Sequence, residues 1–126
     1  MPTHIKISID GITIDAEFFD TVCAGKIIDA LPIEGTLNEW GDEFYFTIPV
    51  EFSLDETATV DVNVGDIGYW PPGSALAIFF GPTPLSTGSK PVPAGKVNIV
   101  GKIIDDPEIL IQAKGAERIM LTKKKG

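Results

Sequence analysis

Ile5, Ile7 and Ile9 alternate with polar residues, and so do Ile12, Ile14, Ala16 and Phe18. A period of two puts one row on each face of a strand. Between the runs, Asp10–Gly11 supplies two residues that tolerate the positive φ of a type I′ turn. The pattern predicts a β-hairpin with one wet face and one dry face. Over residues 20–32 the period changes. Cys23, Ile27 and Leu31 recur at i, i+4, with Ala24 and Ile28 beside them, which predicts a helix. Asp20 or Thr21 can cap it, and Pro32 ends it.

Further short runs follow. Residues 43–50, EFYFTIPV, read as an aromatic strand. Ala58, Val60, Val62 and Val64 alternate. Residues 67–70 and 75–80 read as two strands joined by the turn Pro71-Pro72-Gly73. Residues 96–104 form another strand, in which Gly101 marks a bulge or a close backbone approach. Asp106 as N-cap, Pro107 at N1 and Glu108 in the first turn open a second short helix. Lys114 and Gly115 close it, and residues 117–124 make a last strand. Eight short strands and two helices without βαβ repetition predict a mainly β, closed barrel, which leaves no free sheet edge. Residues 81–95 form one long loop with four prolines and three glycines, a length usually tied to function or disorder.

The chain has 126 residues, enough for one domain with its own core. A net charge of −8 excludes a phosphate-tracking surface, and so nucleic acid. The basic cluster Lys123–Lys125 with Gly126 reads as a disordered tail, leaving residues 1–122 as the domain. Cys23 is the one cysteine, so no intrachain disulfide forms. The N-terminus alternates rather than running apolar, unlike a signal peptide. The longest apolar run, residues 75–80, is too short to cross a bilayer. No membrane partner and a cytoplasmic setting are therefore expected.

Three segments carry a resemblance: residues 38–50 (NEWGDEFYFTIPV), residues 65–84 (GDIGYWPPGSALAIFFGPTP) and residues 97–103 (VNIVGKI). In this order they resemble the small prokaryotic cyclophilin-like proteins. The resemblance implies a cyclophilin-like barrel over nearly the whole chain. Cyclophilins are peptidyl-prolyl isomerases whose motif arginine follows a Phe-His pair and hydrogen-bonds the prolyl nitrogen. The matching region here, EFYFTIP, has neither Arg nor His. The sole arginine, Arg118, lies elsewhere and matches no part of the motif. Isomerase activity is therefore not expected.

Other chemistries find little support. His4, the one histidine, shares the polar parity of Lys6 and Ser8 and is expected outside the barrel. Cys23 falls on an apolar helix face. One His and one Cys do not make a zinc site. Asp105, Asp106 and Glu108 are better explained as cap and dipole partners than as calcium or magnesium ligands. Residues 81–90 lack the order of a phosphate loop, and their prolines remove N–H donors. No metal and no cofactor are expected.

What remains is an aromatic surplus. Tyr and Trp offer a flat apolar body with a polar handle, as binding pockets favour. Asp42 and Glu43 are adjacent, so in a strand they point to opposite faces, and Glu43 is the better candidate to enter a cavity. The expected site is a barrel-side cleft between the EFYF strand, the Tyr69–Gly73 turn and the 81–95 loop. Trp40, Tyr45, Phe46, Trp70, Phe79 and Phe80 would give contact area, and Glu43 and Thr83 polar anchors. The expected guest is a small molecule or an extended peptide, with no catalytic residue assigned. The alternatives are a prolyl isomerase or another enzyme, and a homodimer that uses the aromatic patch as its interface.

Overall fold

The computed structural model describes residues 2–124. The hairpin pairs β1 (Thr3–Ile9) with β2 (Ile12–Phe18), Ile9 opposite Ile12. Asp10 and Gly11 both take positive φ, +45° and +83°, as the turn requires. Helix α1 (Val22–Asp29) follows, and Thr21 Oγ1 accepts from Ala24 N–H at its start. The remaining strands are β3 (Ile33–Thr36), β4 (Asn38–Glu39), β5 (Glu43–Thr47), β6 (Asp66–Trp70), β7 (Ala75–Phe79), β8 (Asn98–Ile103) and β9 (Arg118–Lys123).

All pairings are antiparallel, in the order β3-β9-β1-β2-β8-β6-β7-β5-β4. The sheet curls into a nearly closed barrel. Its first strand comes back against β5, where a Cβ on Gly35 would lie 3.2 Å from the Phe46 ring. At Gly101 such an atom would lie 2.3 Å from the Glu17 carbonyl oxygen, the close β2–β8 approach its glycine foretells.

The strand count is nine among the described residues, where the pattern predicts eight. Strands β3 and β4 are too short to show a period. Residues 58–64 are lost as a strand. Only Thr59 bridges, to Val97, and side chains claim the neighbouring backbone. Thr59 Oγ1 accepts from Asp61 N–H at 2.8 Å, and Asp66 Oδ2 from Asn63 N–H at 2.8 Å. Val60 and Val64 are exposed and Val62 is buried.

The second helix is a 3-10 helix, Pro107–Ala113, with Asp106 Oδ1 accepting from Glu108 N–H. Its buried residues, Leu110 and Ala113, stand three apart, the spacing of a three-residue turn. Another short 3-10 turn, Pro71–Gly73, joins β6 to β7. Lys123 ends β9, and Lys124 N–H donates to His4 O at 3.0 Å. The rest of the expected basic tail, residues 125–126, lies outside the described residues. No helix among the described residues is long and apolar enough to cross a membrane.

The barrel interior holds Ile5, Ile7, Ile14, Phe18, Phe44, Phe46, Ile67, Tyr69, Leu76, Ile78 and Val100, joined by Cys23, Ala24 and Ile27 of α1. Irregular residues 50–57 are fastened to this frame by buried polar groups. Tyr69 O–H donates to Val50 O at 2.6 Å. Buried Asn98 accepts from Asp55 N–H at 2.9 Å and donates to Ser53 O at 2.9 Å. A second apolar cluster of Val62, Ala77, Phe79 and Val97 lies apart from this core.

Candidate functional site

The second cluster follows from alternation along the strands. On β7, Leu76 and Ile78 enter the barrel core, while Ala75, Ala77 and Phe79 face the other way. On β5, Phe44 and Phe46 point inward, while Glu43 and Tyr45 point outward. On β6, Tyr69 points inward and Trp70 outward. The pairing sets Glu43 beside Phe79, Tyr45 beside Ala77, and Trp70 beside Ala75.

This outer face is covered but not filled. Two alanines on its floor leave room where larger residues would close it. A Cβ on Gly68 would lie 2.7 Å from Val97 Cγ2, so glycine lets Val97 settle onto the sheet. Pro93 and Ala94 of the 81–95 loop and Trp40 of the β4–β5 turn complete the rim. They border an open-sided cavity of about 170 Å³. Its lining is apolar and aromatic except for one carboxyl group.

That group is Glu43. The residue is only 7% exposed, and its Oε1 has no hydrogen-bond partner among the described residues. Burial pushes its pKa from 4.5 up to about 7. Asp42 turns away from the cavity. Its Oδ1 accepts from Lys114 Nζ at 2.8 Å, and its backbone N–H donates to Pro82 O at 2.9 Å. Two adjacent carboxylates thus serve opposite purposes, one tied into the frame and one facing the hollow.

The structure brings five of the eight expected site residues, Trp40, Glu43, Tyr45, Trp70 and Phe79, onto this cavity. It places three elsewhere. Phe46 and Phe80 belong to the barrel core, Phe80 with its ring 4.6 Å from that of Phe44. Thr83 is buried inside the 81–95 loop, where its hydroxyl donates to Val92 O and its N–H donates to Ser86 Oγ. Ser86 Oγ in turn donates to Lys90 O, and Lys90 pairs with Asp61 of the neighbouring segment. The loop is thus stitched internally and held over the outer face. Sequence reasoning missed Ala75, Ala77, Pro93, Ala94 and Val97. The alternation of small and large side chains along β7 could have shown the first two.

Arg118 does not line the cavity. Its guanidinium donates to Glu34 Oε1 at 3.0 Å and Thr36 Oγ1 at 3.1 Å on β3. His4 is exposed on β1. Cys23 is buried. Burial raises its thiol pKa, partly offset by the Asn98 amide that donates to Sγ. Asp105 accepts from Asp15 N–H, while Asp106 caps the 3-10 helix. No cluster of three His, Cys, Asp or Glu side chains that could hold a metal ion occurs among the described residues.

Known proteins can now be set beside this geometry. The chain belongs to the cyclophilin-like family, whose model matches residues 3–122. It is similar to the hypothetical protein AF2241 of Archaeoglobus fulgidus, known as a solution structure. The two share 33% identity over 98% of this chain and 95% of the other, with a TM-score of 0.81. McbB, solved in complex with tryptophan, shares the fold at a TM-score of 0.71 and 16% identity. The match covers 97% of this chain and 45% of McbB. No curated protein matches the chain.

Proposed function

We propose that this cyclophilin-like protein binds a small organic molecule in the cavity on the outer face of β5, β6 and β7. The observation that carries the reading is Glu43, a buried residue on the lining of a hollow otherwise bordered by apolar and aromatic groups, whose carboxyl has one oxygen without a hydrogen-bond partner among the described residues. An unpaired buried polar group costs free energy, so its retention fits a partner that arrives from outside. A pocket of this kind, mostly apolar with one converging polar group, is the usual form of a small-molecule site. The volume suits one ring, since a cavity of about 150 Å³ accepts benzene. McbB, of which the shared fold makes up 45%, is solved in complex with tryptophan, a small aromatic molecule, and at 16% identity the likeness extends to the fold alone.

A small molecule fits better than an extended peptide because the 81–95 loop already covers the side of the cleft with Pro93 and Ala94. The arginine that a cyclophilin would use has no counterpart here, and Arg118 is engaged on β3. The cavity is therefore read as a receptor rather than an isomerase site. A cytoplasmic setting belongs to the same proposal, supported by a single buried free cysteine.

Both tryptophans of the chain, Trp40 and Trp70, line the cavity, so tryptophan emission reports on it directly. Titration with 2-phenylethanol should change the emission saturably and shift the backbone amide resonances of residues 43–45, 75–79 and 93–97. Ala77→Leu should fill the hollow and abolish both effects while circular dichroism stays unchanged. If a panel of single-ring compounds at millimolar concentration left those resonances unmoved, the proposal would fail.

A further inference from the structure

The cavity's lining also speaks to the charge of its guest. Besides Glu43, the lining residues with polar side-chain atoms are Trp40 and Trp70, through their indole N–H groups, and Tyr45, through its hydroxyl. Among the described residues, lysine, arginine and histidine are absent from the lining, so no side-chain cation there balances a negative guest. A carboxylate taken from water must be paired or protonated. Of the lysines near the covering segments, Lys114 holds Asp42 and Lys90 holds Asp61, while Lys96 is exposed and does not line the cavity. A calcium or magnesium ion would need several oxygen ligands, and the lining offers one carboxyl group.

The aromatic residues point the same way. Indole and phenol rings attract a cation to their faces, more strongly when water is excluded. Trp40, Tyr45 and Trp70 surround the same hollow as Glu43. Trp70 is set in place by the backbone: a Cβ on Gly73 would lie 2.9 Å from its ring, and one on Gly95 would lie 3.5 Å from its Nε1. The molecule's net charge of −8 draws cations and repels anions at long range.

We infer that the guest of this cavity is an organic ammonium ion, its charged nitrogen against the Glu43 carboxylate and its body against Trp40, Tyr45 and Trp70. The inference rests on the small-molecule reading of the cavity and narrows it to one chemical class. It makes Glu43 the specificity residue, while the apolar floor of Ala75, Ala77 and Phe79 supplies affinity without regard to charge.

Three probes of one shape separate the possibilities: phenethylammonium, 2-phenylethanol and phenylacetate. Each is titrated by calorimetry and amide shifts at about pH 8, above the range in which Glu43 ionises. The ammonium ion should bind at least about tenfold tighter than the alcohol, and phenylacetate weakest. Glu43→Gln keeps the side chain's shape. It should bring the ratio of ammonium to alcohol affinity down to about one. If the alcohol matched or exceeded the ammonium while still shifting the cavity resonances, the cation class would be refuted and the small-molecule reading would stand. A preference that survived Glu43→Gln would also refute it, since overall charge would then be its cause. Failure of all three probes to shift those resonances would overturn both readings.

Discussion

Replacing Glu43 by glutamine isolates the cost of holding a charge in this cavity. The pKa of its carboxyl moves from 4.5 to about 7, with burial as the cause. Between those values the folded protein keeps a proton that the unfolded chain has released. Stability from this group is therefore fully present below about pH 4.5. It declines as pH rises and levels off above about pH 7, where both states are ionised. The displacement corresponds to about 3 kcal/mol. Glutamine fills the same space and carries no charge at any pH. The variant's stability relative to the wild type should accordingly rise by about 3 kcal/mol between pH 4.5 and 8. Urea midpoints followed by tryptophan emission across this range measure it. Other titrating groups are common to both proteins and cancel in the difference. Those near Glu43 are already engaged, Asp42 by Lys114 and Glu39 by the Gly115 N–H. A difference that stayed constant across the range would show that Glu43 is solvated in solution, and the account of it as a desolvated carboxyl would be wrong.

Other substitutions test the frame around it. Phe46→Ala, in the barrel core, should cost about 3–5 kcal/mol in urea unfolding, whereas Tyr45→Ala, on the outer face, should cost less than half of that and weaken probe binding severalfold. The reverse order would refute the assignment of the two faces of β5. Tyr69→Phe removes the hydroxyl that donates to Val50 O and accepts from Phe52 N–H, and should lower stability by about 1–3 kcal/mol. Thr83→Val deletes the hydroxyl's bond to Val92 O inside the covering loop. It should speed proteolytic nicking of residues 85–90 and weaken probe binding, while the unfolding midpoint changes little.

The fold was legible wherever the alternation ran long enough to be counted. The β1–β2 hairpin, with its Asp-Gly turn, follows from seven apolar positions at a period of two. Residues 58–64 show the same period and form no ladder beyond the Thr59–Val97 bridge, because the side chains of Thr59 and Asp66 accept from the backbone N–H groups of Asp61 and Asn63. Hydrophobic period reports which side chains want burial and is blind to that competition. Strands β3 and β4, with Gly35 and two polar residues, exist because β9 and β5 offer edges to pair with. At the candidate site, residue parity was enough to send Asp42 and Glu43 to opposite sides. It could not say whether Tyr45 or the pair Phe44 and Phe46 faced the core, nor which of Phe79 and Phe80 did, because aromatic side chains stand on both faces of these strands. Only the partners across the sheet decide that. The rim residues Pro93, Ala94 and Val97 come from a segment whose position depends on tertiary bonds such as Thr83 to Val92.

A barrel this small has no room inside for a guest, since its interior is filled by side chains of the strands themselves. On β7 the two faces divide accordingly. Leu76 and Ile78 complete the inner packing, and Ala75 and Ala77 withhold volume on the outer side. Large residues at those outer positions would have joined the covering segments to the sheet and gained burial. Alanine gives up that gain. Gly68 differs, because a Cβ there would lie 2.7 Å from Val97 and packing itself favours glycine. The same face retains Glu43, at a further cost that rises with pH. Two separate choices of side chain on one surface thus each forgo stability, one enlarging and the other polarising the same space. Packing alone would have selected against both. A guest that fills the volume and neutralises the carboxylate would return the lost free energy on binding, which is why the hollow and the charge are best understood together.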